Sequence, residues 1–592
     1  IGFSDLSSPA AKFMLVSGVG TIDSCEGNTT QHEFHKACAG GPSDLRVFDR
    51  QSKAVELFSL DKLLPRTTPK SASPILSIEQ QSFKRHVLRM VPAVVTAAQS
   101  LAIPAGEEVT VVGDGPVARE LHAQLSSVGC RVELVSYSAW QVGFRDHLDR
   151  QRPRHVIVAT PTDTKLDSFQ PSRQFTAFLA SCQHWIALLE QTGTLEGATL
   201  AAATQMGGDI FISSRGRGVS GGALTGLFKG IRREYPSLRI KVVDFAASEA
   251  PAAAAASLLN ELRSDCTQLE VGYGGGERFV VRAVPIQSQQ ANTGPTAGEV
   301  WVITGGGRGV TAAVAKEIGH AYGLSLHLLG TTPTPDSQAV WRGLDDQRLK
   351  DLRRQLALQA REQGKTPDQL WRPMEKSIEL DRNLQSFKQA GVRAEYHQCD
   401  ITDRESLRTV LESIRHGDGS IHGIIHGAGV EAACRFSRKQ PEMVQATIAS
   451  KCDGASNLIA LTRQDPLKYF VGFGSTSGRF GGLGQADYSL ASDLLAKMIG
   501  RLAEERPDCK AVCFHWPAWD EVGMAARPES RMALERGGLS FMSPQEGVSH
   551  FVAELTSEGN DHAILILNNA GMLDTDGTMS RQEVPIDPEK FR

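Results

Sequence analysis

Short apolar runs alternate with longer stretches of mixed character along most of this chain. From about residue 105, Val109-Thr-Val-Val112, Val132-Glu-Leu-Val135 and His155-Val-Ile-Val-Ala159 predict strands. Residues 175–189 and 222–235 predict helices, and 238–244 and 269–273 predict later strands. The rhythm returns more strongly after a Gln/Ser/Thr/Gly/Pro-rich break at 286–298. There Val300-Trp-Val-Ile303, Leu326-His-Leu-Leu329, 394–398, 423–425, 469–473 and 511–514 predict strands. The helix after the first of these carries Ala312, Ala315, Ile318 and Gly319 on one face. Strands alternating with helices of this length predict parallel sheets with crossover helices. The expected fold class is α/β, with two Rossmann-like, doubly wound subdomains that suggest duplication with divergence.

The domain expectations follow from the same pattern. Residues 1–104 form a linker and strand-rich lead-in, with a linker-like Thr67–Pro74 segment. Residues 105–290 are the first subdomain and 291–570 the second. A charged helical insertion at 340–390 is expected to form a solvated helical pair, and 571–592 to be a linker. The first residue is Ile, so the chain is expected to come from something longer or processed.

Charge and cysteine usage then exclude several classes. The 63 Lys and Arg against 67 Asp and Glu give a net charge of −4, which argues against a nucleic-acid binder. Ten scattered cysteines form no CxxC pair, so neither a zinc site nor a disulfide scaffold is expected. Reduced thiols, no signal peptide and no long apolar run predict a cytoplasmic protein with no membrane association.

Both halves carry a glycine loop after a strand. Gly113-x-Gly115-x-x-Ala118 permits a tight turn, but no acidic residue ends the next strand to hold a ribose. The first half is therefore expected to keep the fold without a ligand. In the second, Thr304-Gly305-x-x-x-Gly309 has the spacing of a short-chain dehydrogenase loop. Arg308 inside it offers a planar fork for a phosphate, and the strand ending at Thr331 has no acidic residue. Together these favour NADPH over NADH. Asp400 closes a strand where the adenine would lie, and Gly427-Ala428-Gly429 keep the next strand end small enough for a cofactor to approach.

Carbonyl reduction needs a hydride donor, a proton donor and groups that hold the developing negative charge. Ser475 and Tyr488 are thirteen residues apart across a glycine-rich loop and can meet at one oxygen. A tyrosine of ordinary pKa, about 10, needs a nearby ammonium to act readily near pH 7. Lys451 can supply it.

At these residues the second half resembles a ketoreductase domain of the polyketide-synthase type, a branch of the short-chain dehydrogenases. The likeness is carried by Lys451-Cys-Asp-Gly-Ala-Ser-Asn-Leu458, Phe473-Gly-Ser-Thr-Ser-Gly478 and Gly484-Gln-Ala-Asp-Tyr-Ser-Leu-Ala-Ser492. The lysine lies 37 residues before the tyrosine, as in those domains. His515-Trp-Pro-Ala-Trp519 and Gly523-Met524 are similar to the family's later Trp-rich stretch and lid. Gly221–Leu227, Arg233–Arg239 and Glu270–Arg278 resemble its structural subdomain, a truncated unit that binds no cofactor. The glycine loop and the long insertion look closest to polyunsaturated-fatty-acid synthases.

The resemblance implies a catalytic second subdomain with Tyr488, Ser475, Lys451 and Ser492, where Ser492 stands in the place of the family's asparagine. It implies cofactor contacts from Thr304, Gly305, Gly307, Arg308, Gly309, Val310, Thr331, Asp400, Ile401, Gly427, Ala428, Gly429, Lys451, Tyr488 and Pro517. The implied reaction is NADPH-dependent reduction of a β-ketoacyl thioester. Its implied partners are an acyl carrier protein, bearing the chain on phosphopantetheine, and neighbouring domains of a megasynthase. Two other readings stay open: a catalytically impaired structural or docking domain, and a free-standing short-chain carbonyl reductase.

Overall fold

The apolar runs become the inner strands of one continuous sheet. The computed structural model describes residues 82–95, 103–160, 166, 169–212, 218–264, 268–287, 294–536, 539–559 and 561–568, with three short strands nearer the start. Those three, β1 (Glu33–Lys36), β2 (Asp44–Phe48) and β3 (Ala54–Ser59), pair antiparallel within a unit of residues 1–74. The expected linkers at Thr67–Pro74 and 571–592, and residues 288–293 of the break, lie outside the described residues.

From Ile75 the chain forms a second unit. Its first half contributes β4 (Phe83–Pro92), β5 (Glu108–Val112), β6 (Arg131–Val135), β7 (His155–Ala159), β8 (Thr199–Thr204), β9 (Arg239–Phe245), β10 (Glu270–Gly274) and β11 (Glu277–Pro285). Its second half contributes β12 (Val300–Thr304), β13 (Ser325–Gly330), β14 (Arg393–Gln398), β15 (Ile421–His426), β16 (Tyr469–Ser475), β17 (Lys510–Trp516) and β18 (Ala563–Asn568). Among the described residues the sheet order is β14-β13-β12-β15-β16-β17-β18-β4-β11-β10-β9-β8-β7-β5-β6. Strands β14 to β18 pair in parallel, as do β6 to β10, and β4 and β11 join the two blocks by antiparallel pairing. Both halves are doubly wound. The first stops at β6, where the second adds a further strand, β14, beyond β13. A lead-in strand, β4, thus sits at the centre of the sheet and welds the halves together.

The inner strands are buried on both faces, which is why they read as continuous apolar runs. One core cluster runs through both halves and includes Phe175, Trp185, Leu224, Phe228, Leu458, Leu494 and Ile499. In it, the first half's helix Gly221–Glu234 packs along the second half's helix Ala486–Glu505. The latter carries buried residues on every side, as expected of a helix enclosed by protein.

The insertion forms two helices, Asp346–Glu362 and Pro367–Gln389. Expected as a solvated pair, it is only partly so. Ile378, Leu380 and Phe387 are buried, because one face of the second helix covers the glycine loop of the second half.

Candidate active site

In doubly wound sheets, ligands bind beyond the carboxyl ends of the strands where the strand order reverses. In the second half that point lies between β12 and β15. The chain places most of the expected site residues along this edge. Thr304 ends β12, and Gly305 turns there with φ +71. A Cβ on Gly305 would stand 3.0 Å from Gly427 carbonyl and Ala428 amide atoms, so the two loops touch through bare backbone. Gly309 and Val310 open the helix Gly309–Tyr322. Asp400 and Ile401 follow β14, Gly427 to Gly429 follow β15, and Pro517 follows β17.

Two expected cofactor residues face solvent. Asp400 is exposed, and its Oδ1 accepts from the Thr402 amide at 2.9 Å and hydroxyl at 2.8 Å, closing a local turn. Thr331 is exposed at the end of β13. Arg308 is the cation of the loop, with Nη1 3.5 Å from Glu379.

The three candidate chemical residues lie on three elements, and the structure brings Lys451 against Tyr488. Lys451 lies in a π-helical turn, Ala449–Asp453, a distortion that often marks functional positions. Its Nζ donates to the Phe473 carbonyl at 2.7 Å and lies 5.0 Å from the Tyr488 ring centroid. A Cβ on Gly429 would come within 3.4 Å of the same Nζ, so the end of β15 borders the lysine. Ser475 ends β16, and its Oγ caps the short helix Thr476–Phe480 by accepting from Ser477 N at 3.1 Å. That turn leads into the helix carrying Tyr488.

The electrostatics depart from expectation. Burial lowers the Lys451 pKa to about 8. Burial, and then the Glu431 carboxylate, raise the Tyr488 phenol above its ordinary value. The ammonium faces the ring, and the protein by itself does not supply the predicted depression. Ser492 is fully buried, packed beneath Gly478, and its Oγ has no hydrogen-bond partner among the described residues.

Several residues that position the site were not foreseen. His426 is buried between Thr304 and Lys451, and burial lowers its pKa to about 4. The Lys451 carbonyl can only accept, so Nε2 donates to it at 2.7 Å and Nδ1 accepts from the Thr304 hydroxyl at 2.8 Å. Asp487, beside Tyr488, pairs with buried Lys439 at 2.7 Å.

A larger buried network crosses between the halves. Lys229 and Glu270 of the first half pair at 2.7 Å. Lys229 also meets Asp493 on the tyrosine helix at 2.9 Å and the Gly478 carbonyl at 3.3 Å. Arg479, in the serine turn, reaches Glu270 at 2.5 Å. Lys497 lies 3.7 Å from Asp493 and donates to the Ile210 carbonyl at 2.7 Å. Asp493 and Lys497, four apart within the apolar middle of the helix, were the available sequence signal.

The glycine loop of the first half is used internally. Asp114 Oδ2 accepts from Tyr137 N at 3.0 Å, and a Cβ on Gly113 would meet the Ala159 carbonyl at 2.8 Å.

The chain is similar to known proteins. The family described as "KR domain" matches residues 300–521. The chain carries a KR domain. Over 362 residues the chain is 27% identical to a polyunsaturated fatty acid synthase protein of Thraustochytrium sp., a match covering 59% of this chain and 13% of that protein. It is 25% identical over 376 residues to the polyketide synthase PksL of Bacillus subtilis, covering 62% of this chain and 8% of PksL. The chain thus spans a small part of these relatives' own lengths. Solved structures share the fold. A ketoreductase domain from the bacillaene assembly line superposes with TM-score 0.58 at 18% identity, covering 82% of this chain and 97% of that one. A-type ketoreductases from a modular polyketide synthase give 0.61 at 20%, covering 82% and 93%. The KR match begins at β12 and ends just past β17, so it contains Lys451, Ser475 and Tyr488. Seven described cysteines are free thiols, and no described helix is long and apolar enough to cross a membrane.

Proposed function

We propose that this KR domain reduces a β-ketoacyl thioester, carried on the phosphopantetheine of an acyl carrier protein, to the β-hydroxyacyl thioester within a megasynthase. The observation that carries the reading is the meeting of Lys451 and Tyr488, 5.0 Å apart, across a 37-residue separation. The bare-backbone cradle of Gly305, Gly427 and Ala428 fits a dinucleotide, and Arg308 gives NADPH a cation for its 2′-phosphate. The bound cofactor supplies the hydride.

The chain's own residues do the rest. Ser475 donates its hydroxyl hydrogen to the substrate carbonyl oxygen and so holds the charge that grows there. Tyr488 gives up its Oη proton to that oxygen. A phenol held above its ordinary pKa is protonated at neutral pH, so the donor is loaded before substrate arrives. Lys451, seated on the Phe473 carbonyl, offers its charge to the phenolate as it forms and can reach the cofactor ribose beside Gly429. His426 fixes the turn that bears the lysine. The first subdomain is assigned a structural role, which the internal use of Asp114 supports.

Tyr488→Phe tests this. With NADPH and a β-ketoacyl thioester, kcat should fall at least about 100-fold, the loss expected on removing a general acid, with NADPH binding kept. Wild-type turnover by the variant would refute Tyr488 as proton donor. NADPH binding without turnover in the wild type would favour a docking domain. Equal turnover of small free ketones would favour a free-standing reductase.

A further inference from the structure

The insertion at 340–390 lies between β13 and β14, where a single crossover helix would suffice. Its second helix reaches the cofactor edge at three points. Leu380 Cδ1 stands 2.6 Å from where a Cβ on Gly307 would be, so the loop is glycine there because the insertion fills the space. Asn383 Nδ2 donates to the Gly307 carbonyl at 3.0 Å. Glu379 reaches furthest in. Its Oε1 accepts from the Gly309 amide at 2.9 Å, and its Oε2 lies 3.5 Å from Arg308 Nη1.

These are the groups an incoming cofactor needs. The Gly309 amide belongs to the first turn of the Gly309–Tyr322 helix, where orphan donors and the helix dipole favour an anion. The carboxylate of Glu379 already takes that place. Other charges share the corner. Desolvation and the like charges of Arg308, Arg527 and Arg372 hold the Lys376 ammonium below its ordinary pKa. Arg372 is itself paired with Asp368 at 2.9 Å. Three arginines, Arg308 among them, therefore surround Lys376, and Glu379 is an acid that touches both Arg308 and the loop amide.

We propose that Glu379 is a cofactor-selectivity residue brought in by the insertion. Beside Arg308 its charge opposes a 2′-phosphate, and its oxygens can accept hydrogen bonds from the ribose hydroxyls of an unphosphorylated dinucleotide. The inference rests on the proposed use of a nicotinamide cofactor at this loop. Arg308 alone would favour NADPH strongly, because a guanidinium holds phosphate with two parallel hydrogen bonds. An acid near the ribose is how NAD-type sites bind the diol. With both present, the domain discriminates less between the two dinucleotides than its glycine loop implies.

The test is equilibrium binding, which needs no turnover. Dissociation constants for NADPH, NADH, 2′,5′-ADP and 5′-ADP are measured by calorimetry on wild type, Glu379→Gln and Arg308→Gln. The Arg308 and Glu379 side chains are 32% and 41% exposed, so the expected change is modest. Glu379→Gln should raise the NADPH-to-NADH affinity ratio about 3- to 10-fold, and the 2′,5′-ADP-to-5′-ADP ratio alongside it. Arg308→Gln should lower both ratios. Ratios in a folded Glu379→Gln variant that stay within about 1.5-fold of wild type, or that move toward NADH, would overturn the proposal. If wild type binds neither dinucleotide and Glu379→Gln binds NADPH in preference to NADH, the proposal gains support, whereas equal binding of both by the variant would overturn it. If neither protein binds either one, the cofactor reading fails and takes this inference with it.

Discussion

Gly222, Gly226 and Gly230 recur at every fourth position on the Gly221–Glu234 helix and make one ridge facing the tyrosine helix. The sharpest perturbation of this contact is Gly226→Ala. A Cβ there would stand 2.8 Å from Leu490 Cα and closer still to the Ser489 carbonyl oxygen. Carbon atoms rest at about 3.5–4.0 Å, so the helices must part by about 1 Å. Both obstacles are backbone, and no side-chain rotation relieves them. They immediately follow Tyr488, so the shift falls on the proposed proton donor. Overpacking costs about 1–3 kcal/mol, and replacing glycine in a helix returns up to about 1 kcal/mol. The net destabilisation should therefore be about 0–3 kcal/mol, whereas a 1 Å misplacement at a reacting group can cost about 100-fold in rate. Gly222→Ala is the control. Its Cβ would meet the Lys497 side chain, 2.5 Å from Cγ, and Leu494 Cα only at 3.3 Å, more than one turn beyond Tyr488. The assay combines kcat on a β-ketoacyl thioester, NADPH affinity and urea unfolding. Gly226→Ala should lose about 10- to 100-fold in kcat with NADPH affinity unchanged, and Gly222→Ala less than about 3-fold. Wild-type kcat in Gly226→Ala, or equal losses in both variants, would refute the argument.

Two further outcomes follow from the buried charges. Lys229→Met leaves Glu270 to Arg479 and Asp493 to Lys497, at 2.5 and 3.7 Å, so it should destabilise by about 2–4 kcal/mol, below the full cost of stranding a buried charge. A loss under about 1 kcal/mol in urea unfolding would show that the network does not tie the halves together. Acid should also unfold the protein early, because burial lowers His155, His426, His515 and His550 from 6.5 to about 4. As pH falls from 6.5 to 4 the unfolded chain takes up protons that the folded chain refuses, so stability present above pH 6.5 is lost through this window. At about 1.4 kcal/mol per pKa unit each histidine accounts for up to about 3 kcal/mol, and His426→Gln should flatten the dependence of the urea midpoint on pH. An unchanged slope in that variant would show that His426 does not titrate in this way.

The fold was legible where strands are buried on both faces, because β5, β7, β12 and β16 leave continuous apolar runs. Other strands were not. β8, Thr-Leu-Ala-Ala-Ala-Thr, is alanine-rich, and its only β-branched residues are the threonines at its two ends. β4 mixes basic and apolar residues in a lead-in whose tertiary partners, β11 and β18, lie some 190 and 480 residues away. Lys451, Ser475 and Tyr488 were legible from spacing, and the structure brings Lys451 against Tyr488. Lys229 and Glu270 were not, because a lone charge in a helix or strand does not reveal a partner hundreds of residues distant.

Those unforeseen residues bear on what the first half contributes. If it served only to fill space behind the second, an apolar surface would do, since replacing buried ion pairs by packed hydrophobes is often neutral or stabilising. Instead it presents a ridge without side chains, which lets the tyrosine helix approach backbone to backbone, and a buried ammonium that touches both the helix and the serine turn. Arg233 adds two hydrogen bonds to the Phe480 carbonyl at the end of that turn, at 3.2 and 2.9 Å. A non-directional contact could fix the depth of the helix. Directional bonds to Asp493, Gly478 and Phe480 fix its rotation and its register against the serine turn as well. The glycine loop of the first half closes on itself, and what that half contributes to the proposed chemistry runs through those bonds, which tie the serine turn to the tyrosine helix.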